Sequence, residues 1–165
     1  MQRAKDTFYI VLRDRIATLN PARTVLVRGV MRPGVLVEEN ELTSAYLPVN
    51  VFRPRWTALS IIADDAMPLA KMRCEIHYAT AGNSGNGGMD RGRLMAAMDA
   101  ELVAAVNAAP QNAVKTDYAA TGGPQTTQTS IFWGDVDFGA LTVNGEQLQR
   151  VATVDVYSYQ EAGEL

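Results

Sequence analysis

Between Lys71 and Thr80 the chain alternates without a slip, with Met72, Cys74, Ile76 and Tyr78 on one side and Arg73, Glu75 and His77 on the other. A period of two is the spacing of a strand, so this segment has to sit in a sheet with one buried face and one polar face. The end of the chain repeats the pattern. Thr129–Gly139 and Leu148–Tyr159 read as two alternating strands connected through Asn144-Gly145, the dipeptide most often found in a tight hairpin turn.

A half-buried sheet needs a second layer, and two segments with helical spacing supply one. Gln2–Leu19 repeats apolar residues at Ala4, Phe8, Val11, Leu12, Ile16 and Leu19, and Asn20-Pro21 ends it. Leu94, Met95, Met98, Leu102, Ala105 and Val106 form a second stripe in an alanine-rich run that stops at Pro110, with Asp90 as the expected N-cap. Thr24–Arg28 and Val35–Glu38 predict a short strand pair, with the turn at Gly29 and Arg32-Pro33-Gly34. Glu38–Arg55 reads as a long connection, although Tyr46, Leu47 and Phe52 within it, and Trp56 just beyond, carry more apolar bulk than a solvated loop needs. Gln111–Gln128, with Gly122-Gly123-Pro124 and a Thr/Gln run, reads as an irregular or mobile excursion. The sum is an α+β fold: a largely antiparallel sheet with two helices packed on one face and long loops. Its 165 residues, 47% hydrophobic, suit a single domain over residues 1–165.

Several function classes fall away on charge and cysteine usage. Fifteen basic and eighteen acidic residues give a formal charge of −3, and the basic residues are scattered, which argues against tight nucleic-acid binding. Cys74 is the one cysteine, so neither an intrachain disulfide nor a thiolate metal cluster can form within a chain, and a reducing compartment is expected. The apolar run Phe8–Leu12 is closed by Arg13, Asp14 and Arg15, too short for a signal-peptide core or a membrane span, so the cytosol is expected.

Gly82–Gly88, in the tract Thr80–Leu94, resembles a phosphate loop only at first sight. Counting a Walker loop from Gly82 puts a glycine correctly at Gly87, but Gly88 and Met89 stand where lysine and the magnesium-binding hydroxyl belong. Counting a dinucleotide fingerprint from Gly85 puts Asp90 at the third glycine, where an acid at the helix N-terminus repels pyrophosphate. A linker, or a loop that orders against a neighbouring subunit through Arg91 and Arg93, fits better. His77 faces away from Cys74, so the two share no metal. Asp135 and Asp137, with Asp155 on the next strand, are a possible carboxylate site; a solvated sheet face is the ordinary reading. No cofactor or metal is expected.

In the closing strands Phe132, Val136 and Phe138 are assigned to the core face with Ala152, Val154 and Val156. The opposite face then carries Ile131, Trp133, Val151, Tyr157 and Tyr159 beside Asp135, Thr153 and Asp155, too aromatic for a solvent side and therefore expected to meet another subunit. The layout combines an N-terminal helix, a short strand pair, an alanine-rich middle helix and the closing segment from Ile131 to Ala162. It resembles the bacteriophage tail terminator, or tail completion, proteins. The resemblance spans nearly the whole chain in layout, without a diagnostic motif. It implies a non-enzymatic structural protein of the virion, assembled in the host cytoplasm into a homo-hexameric ring. Its expected partners are itself, the tail-tube protein and the head-tail connector or neck protein, with DNA passing through the ring and no membrane contact. Trp133, Tyr157, Tyr159, Arg91, Arg93, Tyr46 and Phe52 are the expected contact residues. A tail-tube or neck subunit is the alternative within this class, and a small enzyme using the carboxylates is the alternative outside it.

Overall fold

The computed structural model describes residues 1–37, 48–62, 67–162 and 164. Helix α1 (Gln2–Leu19) leads into a hairpin of β1 (Thr24–Val27) and β2 (Val30–Pro33), followed by β3 (Arg53–Ile62) and β4 (Leu69–Thr80). After the glycine tract come α2 (Arg91–Val106), β5 (Asn112–Asp117), β6 (Gln125–Trp133), the short β7 (Asp137–Phe138) and β8 (Thr142–Asn144), and the long β9 (Gln147–Tyr159). The described strands form a two-stranded sheet, β1-β2, and a seven-stranded antiparallel sheet ordered β3-β4-β9-β6-β5, with β7 and β8 also paired to β9. The class is α+β, as the alternating patterns require.

The alternation read in β4 is the one observed. Met72, Cys74 and Ile76 are fully buried and Tyr78 nearly so, in one large cluster with Ala4, Phe8, Leu12 and Ile16 of α1, Met95, Met98 and Leu102 of α2, and Ala152, Val154 and Val156 of β9. His77 lies on the other side, its Nε2 3.1 Å from Glu75 Oε2, away from buried Cys74.

Five expectations need correction. The second strand of the first hairpin is Val30–Pro33, because Arg28 and Gly29, at φ 49° and 80°, make the reversal in two residues. Val35, Leu36 and Val37 are buried outside that hairpin, with Val35 bridged in parallel to Phe52. The connection ends earlier than expected, at β3, whose alternation is hidden by a bulge between Trp56 and Ala58. Gln111–Gln128 is no irregular excursion but most of the β5–β6 hairpin, reversed through Gly122 and Gly123 at φ 95° and 113°. The exposed positions at the start of β6 are Gln, Thr and Ser, so that part of the hairpin carries no apolar alternation to read. The closing turn is one residue off: Asn144 pairs with Gln147, so Gly145 and Glu146 form the loop, with Gly145 at φ 58°.

The fifth correction concerns faces. Trp133 pairs with Val156 while Asp137 pairs with Thr153, four residues on one strand against three on the other. The extra residue at Gly134–Val136 resets the alternation, so Ile131 and Trp133 point into the core and Phe132 points out. Trp133 packs edge-on to Phe8 (5.5 Å between centroids, 71°), donates its indole N–H to Val106 O at 2.9 Å and lies under the Arg15 guanidinium. That guanidinium in turn donates to the carbonyls of Ala105, Ala108 and Pro110, which satisfies the open end of α2.

Buried charges are paired. Lys115, in the β5 bulge and wholly buried, donates to Tyr159 O at 2.7 Å and to Glu164 Oε2 at 2.5 Å. Burial alone would raise the Glu164 pKa; the Lys115 hydrogen bond leads the opposing effects that hold it below the usual carboxylate range. Glu101, gripped by Arg23 and Asn20, is lowered against its own burial in the same way.

Two outcomes follow from this packing. Trp133→Ala is expected to cost about 3–5 kcal/mol of subunit stability, measured by urea unfolding, since it empties a core site and orphans Val106 O. The Glu101 and Glu164 contributions are present above the ordinary glutamate pKa of about 4.3 and disappear as pH falls through their lowered native values. Urea midpoints should therefore drop with acidification below that value, and Glu164→Gln should flatten part of the drop.

Candidate functional site

The outward face of β4, β9 and β6 is built by the positions that the core leaves over. Cross-strand pairing sets Lys71 beside Tyr157, Arg73 beside Asp155 and Phe132 beside Tyr157. Phe132 and Tyr157 stack at 5.3 Å and 8°, and Tyr159 leans on Phe132 at 6.3 Å. Lys71 sits 5.6 Å above the Tyr157 ring and 2.7 Å from Asp155, which Arg73 also approaches at 3.1 Å. Partial burial pushes the Asp155 pKa up, but the hydrogen bonds from Arg73 and Lys71 outweigh it and hold the carboxyl ionised. Phe132 is 36% exposed, Tyr159 39% and Val114, on the same side of β5, 51%. Stacked rings beside a fixed ion pair form a patch suited to packing against another protein surface.

The structure gathers some of the expected contact residues and disperses others. Tyr157 and Tyr159 are on the patch. Trp133 belongs to the core of this chain. Phe52 is also in the core, fully buried, 5.3 Å from Tyr78 and beneath Arg23. Tyr46 lies outside the described residues. Arg93 is exposed on α2, but Arg91 is tied into its own chain, donating from Nη1 to Glu146 O at 2.6 Å and from Nε to Gly88 O at 3.1 Å. Phe132 was missed because the alternation was carried unbroken through Gly134; a glycine within a strand pattern is the signal of a bulge.

The glycine tract is a closed loop. Asn83 O accepts from the N–H groups of Asn86 and Gly88, Asn83 Oδ1 accepts from Gly85, and Met89 N–H reaches Asn86 O. Asp90 stands at the N-cap position, but its carboxylate reaches back to the Asn83 N–H at 2.8 Å instead of capping the helix. Amide groups that would cradle a phosphate are therefore spent on the loop itself. A cleft of about 360 Å³ remains beside Gly82, Gly87, Gly88, Arg91 and Glu146. Gly82 and Gly88 are required, at φ 77° and 75°, because a Cβ on the first would come within 2.7 Å of Gly88 Cα and one on the second within 2.9 Å of Ala81 O.

Asp137 and Asp155 come near the same cation, Arg73, while Asp135 is engaged elsewhere. Asp155 is bound to its two cations, and Asp135 accepts from Gln111 Nε2 at 2.8 Å. Among the described residues, no group of three or more His, Cys, Asp or Glu side chains could hold a metal ion. On α2, Asp99 takes the Tyr78 hydroxyl and Arg150, each at 2.5 Å; burial first, then Asp99, keeps that phenol protonated far above its ordinary range. A groove of about 470 Å³ between the helices is lined by Val11, Leu19, Ala104, Ala108 and Ala109 among others. Among the described residues, no helix is long and apolar enough to cross a membrane. No protein-family model matches the chain, and no curated protein matches it.

Gly88→Ala is expected to lower stability by about 1–3 kcal/mol, read from thermal unfolding, because strain and a backbone clash add together. Millimolar ATP or GTP with magnesium should leave the wild-type Tm unchanged; a clear rise would mean that the native state binds nucleotide.

Proposed function

We propose that this chain is a structural subunit of a phage tail or tail-like particle, without a catalytic role. In this reading it self-assembles into a closed ring, hexameric in the tail terminators it resembles, that caps the tail tube, ends its polymerisation and joins it to the head connector. The observation that carries the reading is the patch of Val114, Phe132, Tyr157 and Tyr159 on the outward face of the sheet. Aromatic side chains held half in water concentrate binding energy when a partner covers them. Asp155, Lys71 and Arg73 border the rings and would fix the orientation of an incoming surface. The layout of two amphipathic helices against an antiparallel sheet agrees with the resemblance. The partners of such a ring are further copies of the chain, the terminal tube subunits and the connector, and DNA passes through its opening inside the virion.

Negatively stained micrographs of the purified protein, alone and with tube protein, are expected to show single rings and capped tubes. Long stacks would identify a tube subunit instead. Phe132→Ala with Tyr157→Ala should reduce the assembled fraction, each truncation weakening the contact by about 2 kcal/mol, with the circular dichroism of the subunit unchanged. If the double variant assembles and caps as the wild type does, the patch is not the contact.

A further inference from the structure

β3 runs along one margin of the seven-stranded sheet and β5 along the other. The β5 margin is partly covered, since α1 lies against β5 and the Thr116 N–H donates to the Thr7 hydroxyl of α1 at 3.0 Å. Among the described residues no such cover lies over the second half of β3. From Thr57 to Ile62 every residue is exposed, and among the described residues this stretch is hydrogen-bonded to β4 alone. Its six residues, Thr57-Ala58-Leu59-Ser60-Ile61-Ile62, carry no charge, and Leu59, Ile61 and Ile62 are 48%, 43% and 47% exposed. An apolar edge of this kind is a template for another strand, and proteins that must stay apart interrupt it with charge, proline or a bulge. In β3 those devices, Arg53, Pro54, Arg55 and the bulge before Ala58, all precede the open run or stand at its start.

We propose that this edge pairs with itself, the partner being a second copy of the chain joined through antiparallel Thr57–Ile62 strands about a two-fold axis at Ser60. Three observations select a second copy. With α1 partly covering β5, a sheet continuing from β5 onto β3 of a neighbouring copy meets that helix, whereas β3 against β3 meets nothing. The run is uncharged, so self-pairing sets no like charges opposite one another. The faces also match. Leu59 and Ile61 sit opposite Met72 and Ala70 on the core side, whereas Ala58 and Ser60 sit opposite Arg73 and Lys71 on the outward side. A two-fold axis keeps each face with its like, and centred on Ser60 it places Leu59 opposite Ile61 of the partner subunit. Four apolar side chains that stand in water in the single chain then cover one another. A one-residue slip would set Leu59 against Ser60 across opposite faces.

One six-residue ladder buries less than the roughly 1,200 Å² of stable complexes, so the pair forms in proportion to concentration. It uses a sheet edge, not the aromatic patch, and stands whether or not the ring reading holds. A ring of one polarity cannot contain such an axis, which makes the pair a form of the unassembled subunit that opens as the ring closes.

Cys74 is fully buried, so Ser60→Cys introduces the one solvent-accessible thiol. At about 100 μM under mild oxidation, this variant is expected to form a disulfide-linked product in about tenfold the yield of Ala100→Cys, an exposed site on α2. The product should have twice the mass of the 17.9 kDa chain. Adding Ile61→Lys should return the yield to the Ala100→Cys level with Tm unchanged; if that change lowers Tm, Leu59→Lys tests the same face. Equal cross-linking at positions 60 and 100, or cross-linking indifferent to both lysine variants, overturns the proposal. The same measurements on Phe132→Ala with Tyr157→Ala separate the two contacts, since losing the ring patch should leave the position-60 cross-link intact.

Discussion

The ladder between β4 and β9 is the constraint on which the remaining structure depends. All twelve residues of β4 pair with β9, from Leu69 opposite Tyr159 to Thr80 opposite Leu148, with no shift of register. Antiparallel partners share a face, so one unbroken register commits Met72, Cys74, Ile76, Ala152, Val154 and Val156 to the same side at once. A slip of one residue would turn every one of them outward. The helices close over what this ladder defines: Phe8 and Trp133 meet edge-on within the cluster, and Met95, Met98 and Leu102 fill the rest.

Polar contacts then fix where the second helix lies. Asp99 holds Tyr78 and Arg150, and Glu101 holds Arg23 and Asn20, so both acids of α2 are spent within the chain. Arg15 reaches from α1 to the carbonyls at the end of α2, while the glycine loop closes on itself at its beginning. A helix tied at both ends and along its length gives the sheet one fixed layer, and the apolar side chains between them pack without room for an alternative. The same ties take up the N–H groups of Asn83, Gly85, Asn86 and Gly88 within the tract from Gly82 to Gly88 and its Asp90 neighbour. Its donors are internal struts.

What this packing leaves over is available for association. The outward face has stacked Phe132 and Tyr157 with an ion pair beside them, and the β3 edge has an uncharged apolar run. The two differ in physical character. A face binds through side chains, with affinity concentrated in a few rings; an edge binds through backbone hydrogen bonds, with register set by the side chains on either surface. The first suits a contact repeated around a ring, and the second suits a two-fold pair.

Both helices, the inward positions of β4 and the antiparallel α+β class were determined by the sequence alone, because periods of 3.6 and 2 need only local geometry to be read. Elements whose pattern is broken or mostly polar were not legible. A bulge hides β3, and β5 with the start of β6 exposes Thr, Gln and Ser that resemble a loop. The parity of Trp133 was decided only in three dimensions, where one extra residue near Gly134 rotates the strand against β9. Whether Trp133 or Phe132 faced outward therefore depended on register with a distant partner, and so did the identity of the patch. A sequence specifies alternation; which phase of it is buried is settled by the strand across the ladder.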